Sequence, residues 1–164
     1  MAAEGDAADD RRWRAQRSVD PDLPAESPRL PHRRHPGVLL AISVGGIAGT
    51  LARYGVGRAL TVGAGGFPWA TFTVNMTGAF ALGVVLTLLL ARWPADRYVR
   101  PFVAIGFIGA YTTFSTFMVD ADVLAKDGHV GTALVYLVAS LVGGLAAVGT
   151  GVVLTRTALG RGAA

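Results

Sequence analysis

The chain has 164 residues and a formal net charge of +4, is 52% hydrophobic and carries 22 glycines, with a mean hydropathy of +0.46. That balance is wrong for a soluble globule of this length and places the chain in the membrane class. No cysteine is present, which excludes disulfide scaffolds, thiolate metal sites and cysteine nucleophiles. The pI of ≈ 10.1 does not indicate nucleic-acid binding, because seven of the fifteen basic residues lie in the first 34 positions and the rest flank apolar runs.

Residues 1–36 form a first segment in which Arg11, Arg12, Arg14, Arg17, Arg29, Arg33 and Arg34 alternate with acidic residues and five prolines. With so little to bury, this basic tail is expected to be disordered, and without an apolar stretch after its arginines it is not a signal peptide. From residue 37 the chain turns apolar. Four transmembrane helices are predicted, at Gly37 to Leu60, Trp69 to Ala91, Pro101 to Val119 and Val130 to Thr155, giving a four-helix transmembrane domain over 37–156 and a short C-terminal tail over 157–164. The last three spans carry no charge, and their 23, 19 and 26 residues suit a hydrocarbon core of ~30 Å at 1.5 Å per residue. Gly63 to Pro68, Arg92 to Arg100 and Asp120 to His129 read as loops or frayed ends, with Trp69, Trp93 and Tyr98 as interfacial aromatics.

Small residues recur at helix-packing spacing, as Gly45 and Gly49 in the first span and Gly143, Ala147 and Gly151 in the last. Four helices alone make a thin bundle, so the polar positions would be better satisfied across a dimer interface. An even number of spans puts both termini on one side, with Arg33, Arg34, Arg92, Arg97, Arg100, Arg156 and Arg161; the other side has Arg58 and Lys126. This bias predicts cytoplasmic termini.

Several polar residues interrupt the apolar spans. Thr71, Asn75 and Gly78 share one face of the second helix; the Asn75 amide either offers donors to an anion or bonds a neighbouring helix. Tyr136, Ser140 and Gly144 form a stripe on the fourth, read either as a hydroxyl track or as ordinary packing and back-bonding. Arg53 either marks a pathway or snorkels from the end of the first span. The third span contains G-A-Y-T-T-F-S-T-F, Gly109 to Phe117, poor material for an unbroken lipid-facing helix. A break there would free carbonyl oxygens for a hard cation such as Na+. Phe114 and Phe117 either present ring edges, whose partial positive charge suits an anion, or simply pack.

Three stretches carry a family resemblance: G-G-I-A-G-T-L-A-R-Y (Gly45 to Tyr54), T-F-T-V-N-M-T-G-A-F-A-L-G (Thr71 to Gly83) and G-F-I-G-A-Y-T-T-F-S-T-F (Gly106 to Phe117). In this order and spacing they resemble the CrcB/Fluc fluoride channels, over about residues 38 to 156. The resemblance implies an all-α membrane protein of four transmembrane helices with a break in the third, assembled as an antiparallel dimer with two fluoride pores and a central structural Na+. It implies Na+ coordination by the backbone carbonyls of Gly109 and Thr112. It likewise implies a pore lined by Phe114, Phe117, Asn75, Thr71, Tyr136 and Ser140, with Arg53 near a vestibule.

Asp120 stands where family members often have a glutamate, Gly144 where a third hydroxyl can continue the track, and Ala110 where a second glycine is frequent. The resemblance implies a second subunit, either a second copy of the chain or an oppositely oriented paralogue; the flanking-charge bias implies a fixed orientation and so favours the paralogue. The function expected is passive fluoride export across the cell membrane. A small multidrug-type transporter would want an acidic residue deep in the first span, and none is there. A structural subunit of a membrane complex would not account for Asn75 together with T-T-F-S-T-F. His32, His35 and His129 lie near termini or loops without metal-ligand clustering, and an enzyme is not expected.

Overall fold

The computed structural model describes residues 36–61, 63–92 and 97–161, with no account of the Arg92 side chain. The expected disorder of the basic tail and the interfacial Trp93 therefore lie outside the described residues. Helix α1 runs over Pro36–Ala59 and α2 over Trp69–Arg92. The third span is in pieces. A π-wound stretch, Pro101–Ile108, continues as Gly109–Tyr111, together α3; the chain then opens at Thr112 and Thr113, and α4 follows over Phe114–Lys126. Helix α5 covers Val130–Arg161.

Among the described residues four segments are long and apolar enough to cross a membrane, at Pro36–Ala59, Trp69–Ala91, Pro101–Lys126 and Val130–Gly160. The third reaches seven residues beyond the expected Val119, so Asp120 stands inside α4 and not in a loop. Pro101 lies in the first turn of the third span, where a missing N–H costs little. The π winding has no counterpart in the sequence reading. It lies where α1 packs on α3.

Glycines make that approach feasible. A Cβ on Gly45 would run into the carbonyl of Phe102, one on Gly49 into that of Phe107, and one on Gly106 would sit 2.6 Å from the Ile42 carbonyl. Across the bundle α2 packs on α5 in the same way, with Gly151 against the backbone of Phe80 and Gly83 against Val148. Gly45, Gly49 and Gly151 thus mark backbone contacts, whereas Gly143 faces the Met76 side chain; dispersion between close helices replaces the missing hydrophobic drive. Large apolar side chains on α1 and α5, Leu40, Leu141 and Leu145 among them, point outward, as suits a lipid solvent.

Gly49→Ala should lower stability by about 1–3 kcal/mol through overpacking, read as a lower thermal transition in detergent. Gly57→Ala, which has nothing within 4 Å of the added methyl, should shift it little; equal effects would contradict this packing.

Candidate functional site

The break in the third span follows from its residues. Thr112 and Thr113 take extended backbone angles, φ −77°, ψ 159° and φ −149°, ψ 124°, which suit β-branched side chains. Thr113 caps α4, its hydroxyl accepting from the Thr116 N–H at 3.2 Å and donating to Thr116 Oγ1 at 3.0 Å. Gly78 on α2 leaves room for the Thr112 methyl, which an added Cβ would strike.

Asn75 closes the other side. Its Nδ2 donates to the Thr113 carbonyl at 3.0 Å, and its Oδ1 accepts from the Thr113 N–H at 2.9 Å. One side chain thus satisfies both backbone groups of an irregular residue at membrane depth, where each would otherwise be costly. Of the two readings of Asn75, bonding to a neighbouring segment is present in the geometry; the amide's second N–H is not needed by this pair.

These bonds redirect the backbone. In an unbroken α-helix the Thr113 N–H would bond the Gly109 carbonyl and the Thr116 N–H that of Thr112. Here the first goes to Asn75 and the second to the Thr113 hydroxyl. The carbonyls of Gly109 and Thr112 thereby lose their α-helical partners. The Thr112 hydroxyl is occupied, donating to the Ile108 carbonyl at 2.9 Å.

A groove of ≈ 310 Å³ runs beside the break, lined by Asn75, Gly78, Ala79, Leu82, Ile108, Thr112, Thr113, Phe114, Phe117 and Val148. Phe114 is 75% exposed, and its ring centroid lies 5.9 Å from that of Phe117, tilted by 47°. Phe117 in turn contacts Tyr136 at 5.1 Å. On the far side of Tyr136 along the chain of contacts stands Asp120, whose Oδ2 accepts from Thr71 Oγ1 at 2.6 Å and from the Tyr136 hydroxyl at 3.4 Å. Tyr136 is fully buried.

Arg53 is half-buried and lines a second cavity of ≈ 220 Å³ with Gly57, Ala70, Thr71, Val74, Thr113 and Thr116. Ser140, one turn beyond Tyr136, has a buried hydroxyl oxygen with no hydrogen-bond partner; the back-bonded alternative is not what forms. Among the described residues no three His, Cys, Asp or Glu side chains converge as metal ligands.

A family model described as CrcB-like protein, Camphor Resistance (CrcB), matches residues 40–152. The chain belongs to the CrcB family. It is similar to the fluoride-specific ion channel FluC 3 of Streptomyces avermitilis, 48% identical over 129 residues, a match covering 79% of this chain and 63% of that relative. The fluoride-specific ion channel FluC 2 of Nocardia farcinica is 42% identical over 84% of this chain and 95% of its own. FluC of Chlorobium luteolum is 38% identical over 74% and 95%. With four membrane-capable helices, this CrcB chain is a multi-pass membrane protein.

The CrcB fold brings Asn75, Thr112, Phe114 and Phe117 to one groove and Thr71 and Tyr136 to one carboxylate. Arg53 stands beside Thr71 in a separate cavity. The sequence reading missed two things. Asp120, left without a role, is the acceptor shared by two of the expected pore residues, and its place three residues after Phe117 on one helical face was the available signal. Asn75 and Thr113 become partners only through tertiary contact.

Asn75→Leu should unpair both Thr113 backbone groups and cost about 2 kcal/mol or more, measured as a lower thermal transition of the detergent-solubilised protein. Thr150→Val, which loses an exposed bond to its own helix, should stay within about 0.5 kcal/mol. Comparable losses in the two variants would contradict the role given to Asn75.

Proposed function

We propose that the chain is a subunit of a fluoride-selective channel that lets the ion leave the cytoplasm passively across the cell membrane. The observation that carries this reading is the groove at the break, where Phe114 stands 75% exposed beside Asn75 and Phe117 at membrane depth. The names of the relatives support the ion: each is a fluoride-specific channel.

Fluoride holds its water tightly, so a pore must offer replacement donors. Ring edges of Phe114 and Phe117 supply weak positive potential, and the spare N–H of Asn75 supplies a donor. The hydroxyls of Thr71 and Tyr136 are held towards Asp120, where an arriving anion competes with the carboxylate for them. The unpartnered Ser140 hydroxyl extends the set along α5. Arg53, beside the ≈ 220 Å³ cavity, draws anions towards it. None of these steps makes or breaks a covalent bond, so the chain acts as a channel and not as an enzyme.

The same groove is open on one side, and a highly exposed Phe114 asks for a covering surface. A second subunit, inverted relative to the first, fits that need and is the arrangement the resemblance implies. The bias of flanking arginines favours cytoplasmic termini and a partner of the opposite bias over a second copy of the chain. At the dimer centre the carbonyls of Gly109 and Thr112, freed from their helical partners, would hold a structural Na+; the ion would supply positive charge that fixes the broken backbone.

The test is fluoride-electrode efflux from liposomes holding the protein purified with whatever subunit it retains, as wild type, Phe114→Ile and Asn75→Asp. Fluoride efflux without chloride efflux is expected, slowed about tenfold or more in each variant, equivalent to about 1.4 kcal/mol of barrier. Chloride leaving as fast as fluoride, or both variants at wild-type rate, would overturn the assignment.

A further inference from the structure

The α1–α2 loop lays one half-buried aromatic ring, Phe67, against the buried Tyr136, and no motif or proposed donor accounts for it. Phe67 packs edge-on against Tyr136, centroids 5.3 Å apart at 89°, and against Phe72 at 5.2 Å and 73°, with Trp69 at 4.7 Å. Resting on the fluoride-channel reading, we propose that Phe67 is a positioning residue that holds Tyr136 so that its hydroxyl reaches Asp120 at the end of the conduction path.

Among the described residues two rings touch the Tyr136 ring: Phe117 from α4 and Phe67 from the loop. The phenol depends on both, because its hydroxyl meets Asp120 at 3.4 Å, the outer limit of a hydrogen bond. A small swing of the ring breaks that contact. The Thr71 bond to the same oxygen, at 2.6 Å, has no such sensitivity.

Phe67 is itself held. Its carbonyl accepts from the Trp69 N–H at 2.8 Å, and the preceding turn closes from the Gly66 N–H to the Gly63 carbonyl at 3.1 Å. Gly65 takes φ 72°, a region that favours glycine, and the His129 ring occupies the place a side chain there would need. His129 is tied to the end of α4 through its N–H to the Leu124 carbonyl at 2.8 Å. The loop carrying Phe67 is therefore keyed to the turn between α4 and α5, the helices that bear Asp120 and Tyr136.

A double-mutant cycle distinguishes positioning from mere packing. Fluoride efflux from liposomes would be compared for wild type, Phe67→Ala, Tyr136→Phe and the double variant, with Phe67→Tyr as the conservative rescue. Phe67→Ala should slow efflux about three- to tenfold, the range one hydrogen bond supplies. It should slow Tyr136→Phe no further, and Phe67→Tyr should restore most of the rate. If Phe67→Ala does not assemble, Phe67→Leu keeps the apolar volume without the aromatic edge and takes its place.

Losses that add in the double variant, or Phe67→Ala at wild-type rate beside a slowed Tyr136→Phe, would overturn the proposal. Tyr136→Phe at wild-type rate would overturn it too, by removing the Tyr136 hydroxyl from the path. Wild-type fluoride efflux in the same preparation separates these failures from failure of the channel reading itself.

Discussion

The pair of hydrogen bonds between Asn75 and Thr113 is the contact on which the third span depends. Two consecutive residues in extended geometry leave backbone groups without helical partners, and hydrocarbon offers none. The Asn75 amide presents a donor and an acceptor with the spacing of a peptide group, and takes up both Thr113 groups at 3.0 and 2.9 Å. Once the Thr113 N–H is committed there, the Gly109 carbonyl is released; once the Thr113 hydroxyl caps α4, so is the Thr112 carbonyl. A single polar side chain on α2 thus sets what the broken backbone presents to its surroundings. Glycine packing of α1 on α3 and of α2 on α5 holds the two halves close enough for that contact to form.

The groove and the carboxylate cluster are joined through aromatic rings. Phe114, Phe117 and Tyr136 form a continuous run of ring contacts from the exposed groove to the half-buried Asp120. At the inner end of this run Tyr136 is fully buried, and a low local dielectric there strengthens the hydrogen bond its hydroxyl makes. The cluster is economical in charge: a half-buried arginine and a carboxylate stand among neutral donors and ring edges. Under the proposed function, such a set suits a small anion with a tightly held hydration shell better than a bulky organic cation.

The four spans and the break were legible because each has a local cause. Charge-free runs of membrane length set the helices, and adjacent β-branched threonines beside glycine set the break. Gly45, Gly49 and Gly151 were readable as contact points from their spacing alone. The remainder was hidden for reasons of tertiary geometry. Nothing near residue 101 announces π winding, which appears together with the approach of a neighbouring helix. The end of α4 was misplaced because Asp120 and Asp122 look like loop residues, although they continue a helix that reaches Lys126 and pairs Lys126 with Asp122 one turn apart. Asp120 could be placed on a face but not matched to Thr71, 49 positions earlier. Phe67 sat in a stretch rich in glycine that reads as a loop, with no periodicity to show that its ring packs against Tyr136.

The most direct measurement is the 13C carbonyl NMR signal of Gly109 and Thr112, selectively labelled in the membrane-embedded protein and followed as K+ is replaced by Na+. The account predicts that these two carbonyls lack helical hydrogen-bond shifts and move on Na+ addition, while the Ile108 carbonyl, bonded to Thr112, does not. Carbonyls at Gly109 and Thr112 with ordinary helical shifts that ignore Na+ would contradict it.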